Sequence, residues 1–334
     1  MEADNSLIAT IRDELKLVQR VLIISHIRPD GDAIGSLIGL GKALMDAGKQ
    51  VEMVISDGVP TNFRFLSGSE LVHKKPHGEF DYRIVVDASE VPRVGSALDR
   101  QPGVDLNIDH HITNTNFGRN NLVLTDAAAT AEILARYIPS LLSITISPDV
   151  ANALLTGMIT DTIGFRTGSV TPGVLRVAAM LLEHGADLSQ VYYKGLVQHP
   201  FPAIRYWGAG LGRMQSEPGI VWTTLSLKDR AAVGYGGRDD ADLINVLSSI
   251  ENMDIALIFI EQPSGRVKIS WRVCGQSNVD TDVSQIAQQF GGGGHRAAAG
   301  AEVDGGIEEV EKNVLNATRS YLSVMLGEPV SLEH

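Results

Sequence analysis

The sequence has a single cysteine, Cys274, in 334 residues, so no intrachain disulfide can form and no thiolate zinc cage is available. It is short of positive charge: 28 lysines and arginines stand against 40 aspartates and glutamates, a formal net charge of -12. That excludes wrapping duplex DNA by bulk charge, which needs a strongly basic surface. A small anionic substrate held at one local site stays open. No apolar run approaches the length of a membrane span, and the start, Met1 to Asn5, is acidic and polar, so a cytoplasmic protein without membrane contact is expected. There is no internal repeat, and no low-complexity segment beyond four consecutive glycines. The closing Leu332-Glu333-His334 reads as the stub of an expression tag and is set aside. What is there is a hydrophobic share of 44%, enough for a core in each of two domains of ordinary size.

Apolar runs alternate with helical periodicity along the first half. Val21 to Ile24 reads as a strand of a parallel sheet, Gly35 to Ala47 as a helix closed by Gly48, and Val51 to Ile55 as the next strand. Ile84-Val85-Val86 and the run Val104 to Ile108 add two more, and Leu122-Val123-Leu124 reads as a core strand or an edge. Ala129 to Tyr137 is helical in pattern, and Ser147-Pro148 and Thr171-Pro172 carry helix-start signals. Residues 188–217, punctuated by Gly, Pro and aromatics, are read as a linker between a first domain, 1–187, and a second, 218–330. The second domain shows a strand from Gly219, a helix over Ala241 to Ile250, and a hairpin of Ile255 to Ile260 with Val267 to Val273. Alternation along the last of these puts Lys268, Ser270 and Arg272 on one face and Trp271 on the other. The fold class expected is α/β: a parallel sheet with helices on both faces, then a smaller α/β domain with a mixed sheet.

The ends of the strands carry the chemistry. Asp109-His110-His111 closes one run, His26 with Asp30 and Asp32 follows another, and Asp87 ends a third. Neighbouring side chains on a strand face opposite ways, so such a triplet acts together only where the strand ends and curls. Alone, the triplet reads either as ion ligands or as an aspartate fixing a histidine tautomer at a turn. In a parallel sheet the carboxyl ends of the strands share one edge, so all seven groups converge on one crevice. Crowded there, they would repel and desolvate one another without cations between them. A carboxylate and imidazole set without thiolates favours Mn²⁺, Mg²⁺ or Fe²⁺ over structural zinc. There are enough ligands for two ions, and a pair about 3.5 to 4 Å apart can share a hydroxide and clamp the oxygens of a phosphoryl displacement.

Gly291 to Gly294 lack the Lys-Ser/Thr of a P-loop and follow an apparent helix, so neither a Walker nor a dinucleotide fingerprint fits. With His295, Arg296 and Arg272 nearby in sequence or pattern, they read as an anion-binding site rather than a flexible turn. His73, His77, His184 and His199 read as exposed or capping residues, Trp207, Trp222 and Trp271 as core or interface, and Cys274 as packing.

On these residues the chain resembles the DHH phosphoesterase family, and within it the bifunctional oligoribonuclease and 3'-phosphoadenosine-5'-phosphate phosphatase group, the nanoRNases. Ser25-His26 through Asp30-Gly31-Asp32 to Ser36 resembles the first motif, Asp87 the second, Asp109-His110-His111 the third and Thr160-Asp161-Thr162 the fourth. Gly291 to His295 with Ala298-Ala299-Gly300 resembles the signature of an attached DHHA1 domain. The resemblance implies two Mn²⁺ ions, or Mg²⁺ or another divalent ion in their place. His26, Asp30 and Asp87 would hold one, and Asp32, Asp87, His110 and Asp161 the other, with Asp87 bridging. It implies a catalytic group of His110, His111 and Asp109, with Asp109 orienting an imidazole and His111 facing the phosphate. Arg272, Gly292, Gly293, Gly294, His295 and Arg296 would bind the substrate across an interdomain cleft.

The expected activity is hydrolysis of short oligoribonucleotides or dinucleotides, linear or cyclic, to nucleoside 5'-monophosphates, and of 3'-phosphoadenosine-5'-phosphate to AMP. A hydroxide bridging the two ions would be the nucleophile. A homodimer is compatible with this reading. The rivals are an inorganic pyrophosphatase of the same superfamily, disfavoured by the glycines and His295, and a catalytically silent nucleotide sensor, disfavoured by the complete ligand set. Asp161-Thr162-Ile163-Gly164 stands where Asp-Thr-Gly is expected, and Ser270-Trp271-Arg272-Val273 lacks an expected second serine. Both departures leave substrate preference open.

Overall fold

The apolar run after Gln19 forms a strand buried from its second residue on, and the rest of the first half is built around it. A computed structural model describes residues 3–99, 101–275 and 281–326 and divides the chain into two compact units, Met1–Gln198 and His199–His334. The tag-like end and residue 330, the expected limit of the second domain, lie outside the described residues.

The first unit contains α1 (Asn5–Leu17), β1 (Arg20–Ile24), α2 (Gly31–Asp46), β2 (Gln50–Val54), β3 (Val72–His73), β4 (Tyr82–Val86), β5 (Leu106–Asp109) and β6 (Asn120–Val123). It continues through α3 (Thr130–Leu142), α4 (Pro148–Asp161), α5 (Pro172–Glu183) and α6 (Leu188–Tyr192). Its six strands lie in the order β3-β2-β1-β4-β5-β6 and all pair in parallel, so Leu122 and Val123 belong to an edge strand. Strand alternation separates two cores. Val21, Ile23, Ile84 and Val86 join the large core that α1 to α5 cover. Leu22, Ile24 and Val85 face the other way, against Phe80 and against Val94 and Ala97 of a 3₁₀ stretch, Val91–Leu98.

Helices α2 and α4 meet nearly backbone to backbone. A β-carbon on Gly35 would sit 2.4 Å from the Ala153 carbonyl oxygen, and one on Gly157 would sit 2.7 Å from Oδ1 of Asp32. Only glycine permits that approach. It brings the start of α2, with Asp32, beside the end of α4, with Asp161.

Residues 188–217, expected as a linker, are largely regular: α6, a π-helical turn over Tyr193–Val197, α7 (Phe201–Leu211) and β7 (Gln215–Glu217). The misleading signal is proline. Pro200 is the N-cap of α7 and Pro202 lies in its first turn, where a missing N–H costs nothing.

The second unit adds β8 (Gly219–Leu225), α8 (Leu227–Val233), α9 (Leu243–Leu247), β9 (Met253–Glu261), β10 (Arg266–Val273), α10 (Val283–Gln288), β11 (Gly293–His295), β12 (Ala298–Asp304) and α11 (Ile307–Leu326). Its sheet runs β11-β12-β10-β9-β8-β7, mixed because β8 and β9 are parallel and the other pairs antiparallel. Trp271 is fully buried in the core shared with α10 and α11, and Cys274 packs in the opposite one with Tyr206 and Leu243. Burial, reinforced by Asp254, pushes the Cys274 thiol up to about 11. The helix expected over Ala241 to Ile250 is confined to α9. Ala241 (φ 54°) and Asp242 (φ 67°) are left-handed and cannot extend it, while the Asp240 carboxylate accepts from the Ile244 N–H at 2.9 Å.

Candidate metal centre

Adjacent strands β1, β4 and β5 end side by side, and each hands a ligand-type residue to the same edge. The chain leaves β1 toward β2 and β3 on one side and returns through β4, β5 and β6 on the other, so the β1/β4 boundary is a topological switch point where a crevice opens. His26 stands just beyond β1, Asp87 immediately after β4, and Asp109 ends β5 ahead of His110 and His111. Asp87 is left-handed (φ 57°), a conformation that costs a non-glycine residue about 1–3 kcal/mol and recurs where side chains must be aimed at a site.

Two trios of donors face each other across Asp87. His26 Nε2 is 3.5 Å from Oδ2 of Asp87 and 3.8 Å from Oδ1 of Asp30. His110 Nε2 is 3.9 Å from Asp32 Oδ2, 3.8 Å from Asp87 Oδ1 and 3.7 Å from Asp161 Oδ2. These gaps exceed hydrogen-bonding distance and suit donors arranged around an ion bonded at about 2.0 to 2.2 Å. Ligand-type atoms of His26, Asp30 and Asp87, and of Asp32, His110 and Asp161, lie within 4.8 Å of one another, as do those of Asp87, His110 and His111.

The imidazoles are oriented for ligation through Nε2. The Nδ1 of His26 bonds the Ile27 carbonyl at 2.8 Å, and that of His110 bonds the Ala127 carbonyl at 3.3 Å. Each carbonyl can accept only from an Nδ1–H, which leaves Nε2 its lone pair in the neutral ring. His111 differs: its Nδ1 is committed to Oδ1 of Asp109 at 2.7 Å. Asp109 is fully buried, and its other oxygen accepts from Asn114 at 2.5 Å, while Asn114 also donates to Asn107 at 2.8 Å. Asp109 therefore holds an imidazole, the second of the two roles its sequence allows.

The electrostatics fit a divalent cation. Burial, with Asp87 and Asp161 close by, raises the Asp32 carboxyl well above its ordinary value. Burial works against charge on Asp87 too, but the imidazoles of His26, His110 and His111 hold its carboxyl below the usual range. Burial would lower His26, yet Asp30 and Asp87 hold it up at about 10. His111 is held at about 9 in the same way, by Asp109 and Asp87 against burial. Without an ion, protons on imidazole supply the positive charge that this pocket of carboxylates demands. A divalent ion supplies it by displacing protons from the donors it binds.

Helix α3 contributes residues that no sequence motif signalled. Its first N–H groups, from Thr130 and Ala131, donate to Asp32 Oδ2 at 2.7 Å and Oδ1 at 2.9 Å. The Thr130 hydroxyl donates to Asp87 Oδ1 at 3.0 Å. A lone threonine after three alanines offers nothing to find it by.

The second-unit residues form a different kind of surface. Arg272 lies on β10, paired with Ala256 and Ala298, on the face opposite Trp271. Gly293, Gly294 and His295 are β11, an exposed edge strand rather than a loop, and Arg296 is exposed beside it. A β-carbon on Gly292 would sit 2.2 Å from the Gly300 carbonyl oxygen and one on Gly294 2.4 Å from that of Ala298, so strand pairing alone requires both glycines. Of the remaining histidines, His184 caps α5, His77 reaches Glu52 at 3.1 Å, and His199 packs on Trp207. Among the described residues no helix is long and apolar enough to cross a membrane.

Comparison with known proteins gives matches along most of the chain. Residues 20–158 match the DHH family, N-terminal domain, and residues 231–323 the DHHA1 domain. The chain is 34% identical over 321 residues, 94% of each sequence, to the bifunctional oligoribonuclease and PAP phosphatase NrnA of Thermus thermophilus. It is 23% identical to a probable enzyme of the same name from Streptococcus mutans, over 87% of this chain and 92% of that one. A crystal structure of an exopolyphosphatase-related protein from Bacteroides fragilis superposes with a TM-score of 0.88 at 25% identity, covering 96% of this chain and 98% of that one.

Proposed function

Because the chain belongs to the DHH family and carries a DHHA1 domain, we propose that it hydrolyses short oligoribonucleotides and dinucleotides such as pApA to nucleoside 5'-monophosphates, and 3'-phosphoadenosine-5'-phosphate to AMP. It is a hydrolase of phosphoester bonds. The observation that carries the reading is the pair of donor trios, His26 with Asp30 and Asp87 and Asp32 with His110 and Asp161, with Asp87 turning one oxygen toward the imidazole of each. His26, Asp30 and Asp87 would hold one ion, and Asp32, Asp87, His110 and Asp161 a second. The thiolate-free donor set favours Mn²⁺, Mg²⁺ or Fe²⁺ over structural zinc, and Mn²⁺ is the ion proposed. Bound there, divalent ions lower the pKa of water and screen the negative charge that builds on phosphorus.

The chain's own groups do the rest. The carbonyls of Ile27 and Ala127 hold the two ligating imidazoles in one tautomer. Asp109 fixes His111 through Nδ1 and favours its cation, leaving Nε2–H as the donor to a phosphate oxygen. In the second unit, Arg272, His295 and Arg296 with Gly292 to Gly294 would bind the nucleotide's phosphate and base. The protein is proposed to act in the cytoplasm on short RNA rather than on duplex DNA, which agrees with its net charge of -12.

The test is mononucleotide release from pApA with Mn²⁺, run beside Asp87→Asn. Wild type should release AMP, and the variant should lose activity by about a thousandfold or more, since that carboxylate faces the imidazoles of both trios. Wild-type protein that binds Mn²⁺ but releases nothing from pApA or 3'-phosphoadenosine-5'-phosphate, while cleaving pyrophosphate, would overturn the reading.

A further inference from the structure

The bridging carboxylate is the one donor whose orientation decides both trios. Asp87 turns Oδ2 toward His26 and Oδ1 toward His110, and a carboxylate free to rotate about χ2 would present neither reliably. Its oxygens lie 3.5 to 3.8 Å from the imidazoles, long contacts that hold its plane less firmly than a hydrogen bond at 3.0 Å. Among the described residues, the short hydrogen bond to its side chain comes from the Thr130 hydroxyl at 3.0 Å, and both residues are buried, Thr130 completely. The same residue's backbone N–H holds Asp32, which belongs to the second trio.

We propose that Thr130 is a positioning residue that sets the plane of the Asp87 carboxylate through its hydroxyl and ties it to Asp32 through its backbone, so that both ions find preformed sites. The inference rests on the reading of these trios as a metal centre. The hydroxyl and the N–H act on different carboxylates, and substitution separates them: a side-chain change removes the bond to Asp87 and keeps the bond to Asp32. The position is also why α3 begins where it does. Ala129 is extended (φ -162°) with no side-chain cap, and Asp32, distant in sequence, accepts the first free N–H groups of the helix in place of a local cap.

The experiment is titration of metal-stripped protein with Mn²⁺ by calorimetry, for wild type, Thr130→Val, Thr130→Ala and Thr130→Ser, with thermal melts of the stripped forms to establish folding. Valine keeps the volume and alanine relieves any misfit, so one hydroxyl-free variant is available even if the other folds poorly. Loss of about tenfold or more in Mn²⁺ affinity without the hydroxyl, restored to within about threefold by serine, is the expected result. Wild-type affinity in folded Val or Ala variants would overturn the proposal, as would a serine variant as weak as alanine, because the methyl's packing would then be the cause. Wild-type protein that takes up no Mn²⁺ would overturn the metal-centre reading itself, a different failure visible in the first titration.

Discussion

The two units hold their candidate-site residues in opposite ways. In the first, Asp32, Asp87, Asp109 and His26 are buried, and each is held by at least one hydrogen bond from backbone or side chain. In the second, His295, Arg296 and β11 are exposed on a sheet edge. On the proposed reading, metal ligation needs donors fixed to within fractions of an ångström, and the strain and desolvation in the first unit suit that preorganisation. Recognition of a nucleotide by the second would tolerate adjustment, and an open strand edge offers backbone donors and acceptors at little cost. Damage to the first unit should therefore appear in metal uptake and kcat, and damage to the second in KM.

The sharpest way to break that contrast is a methyl group between α2 and α4. Gly157→Ala places its β-carbon 2.7 Å from Asp32 Oδ1 and 2.6 Å from the Ala131 β-carbon, so something must shift. The expected cost is about 1–3 kcal/mol in stability together with weaker Mn²⁺ binding, read by melting and calorimetry. An unchanged affinity would mean that the metal trio is less rigid than its packing.

A second test uses pH. His26 and His111, held at about 10 and about 9 against an ordinary 6.5, stabilise the stripped fold fully below pH 6.5 and lose that contribution as pH climbs through those values. The melting temperature of metal-free protein should therefore fall from pH 6.5 to 9, whereas Mn²⁺-saturated protein should follow it less steeply, the ion having replaced the proton on His26. Parallel curves would show that metal does not reach His26.

His295→Ala should raise KM for pApA about tenfold and leave kcat nearly unchanged, the mark of a lost charge-assisted contact made equally in ground and transition states. A kcat effect of the same size would give the second unit a share in the chemistry. The smallest change expected is Gly293→Ala. Its β-carbon meets nothing within 4 Å, so stability should move by no more than about 0.5 kcal/mol, and a rise in KM would then report close approach of substrate to that backbone.

Much of the first unit was legible because its signals are local. Val21 to Ile24 and Ile84 to Val86 are uninterrupted apolar runs, and His26, Asp87 and the Asp109 triplet sit where those runs stop. Six of the ligand-type residues expected from the sequence fall into the two trios. What stayed hidden depends on tertiary contacts. Thr130 acts on Asp87 across 43 residues and on Asp32 across 98, separations no periodicity reports. The regular structure of 188–217 was masked by prolines that begin α7, and α9 was overextended because left-handed Ala241 and Asp242 leave no mark in an apolar pattern.

Cys274 has a consequence for life under oxidants. A thiol pushed up to about 11 and almost wholly enclosed stays protonated at neutral pH and is a poor nucleophile toward peroxide or mixed disulfides. It is the chain's one sulfhydryl. Thiol-based redox chemistry at Cys274 is thus disfavoured, by the enclosure of the sulfur as much as by its protonation.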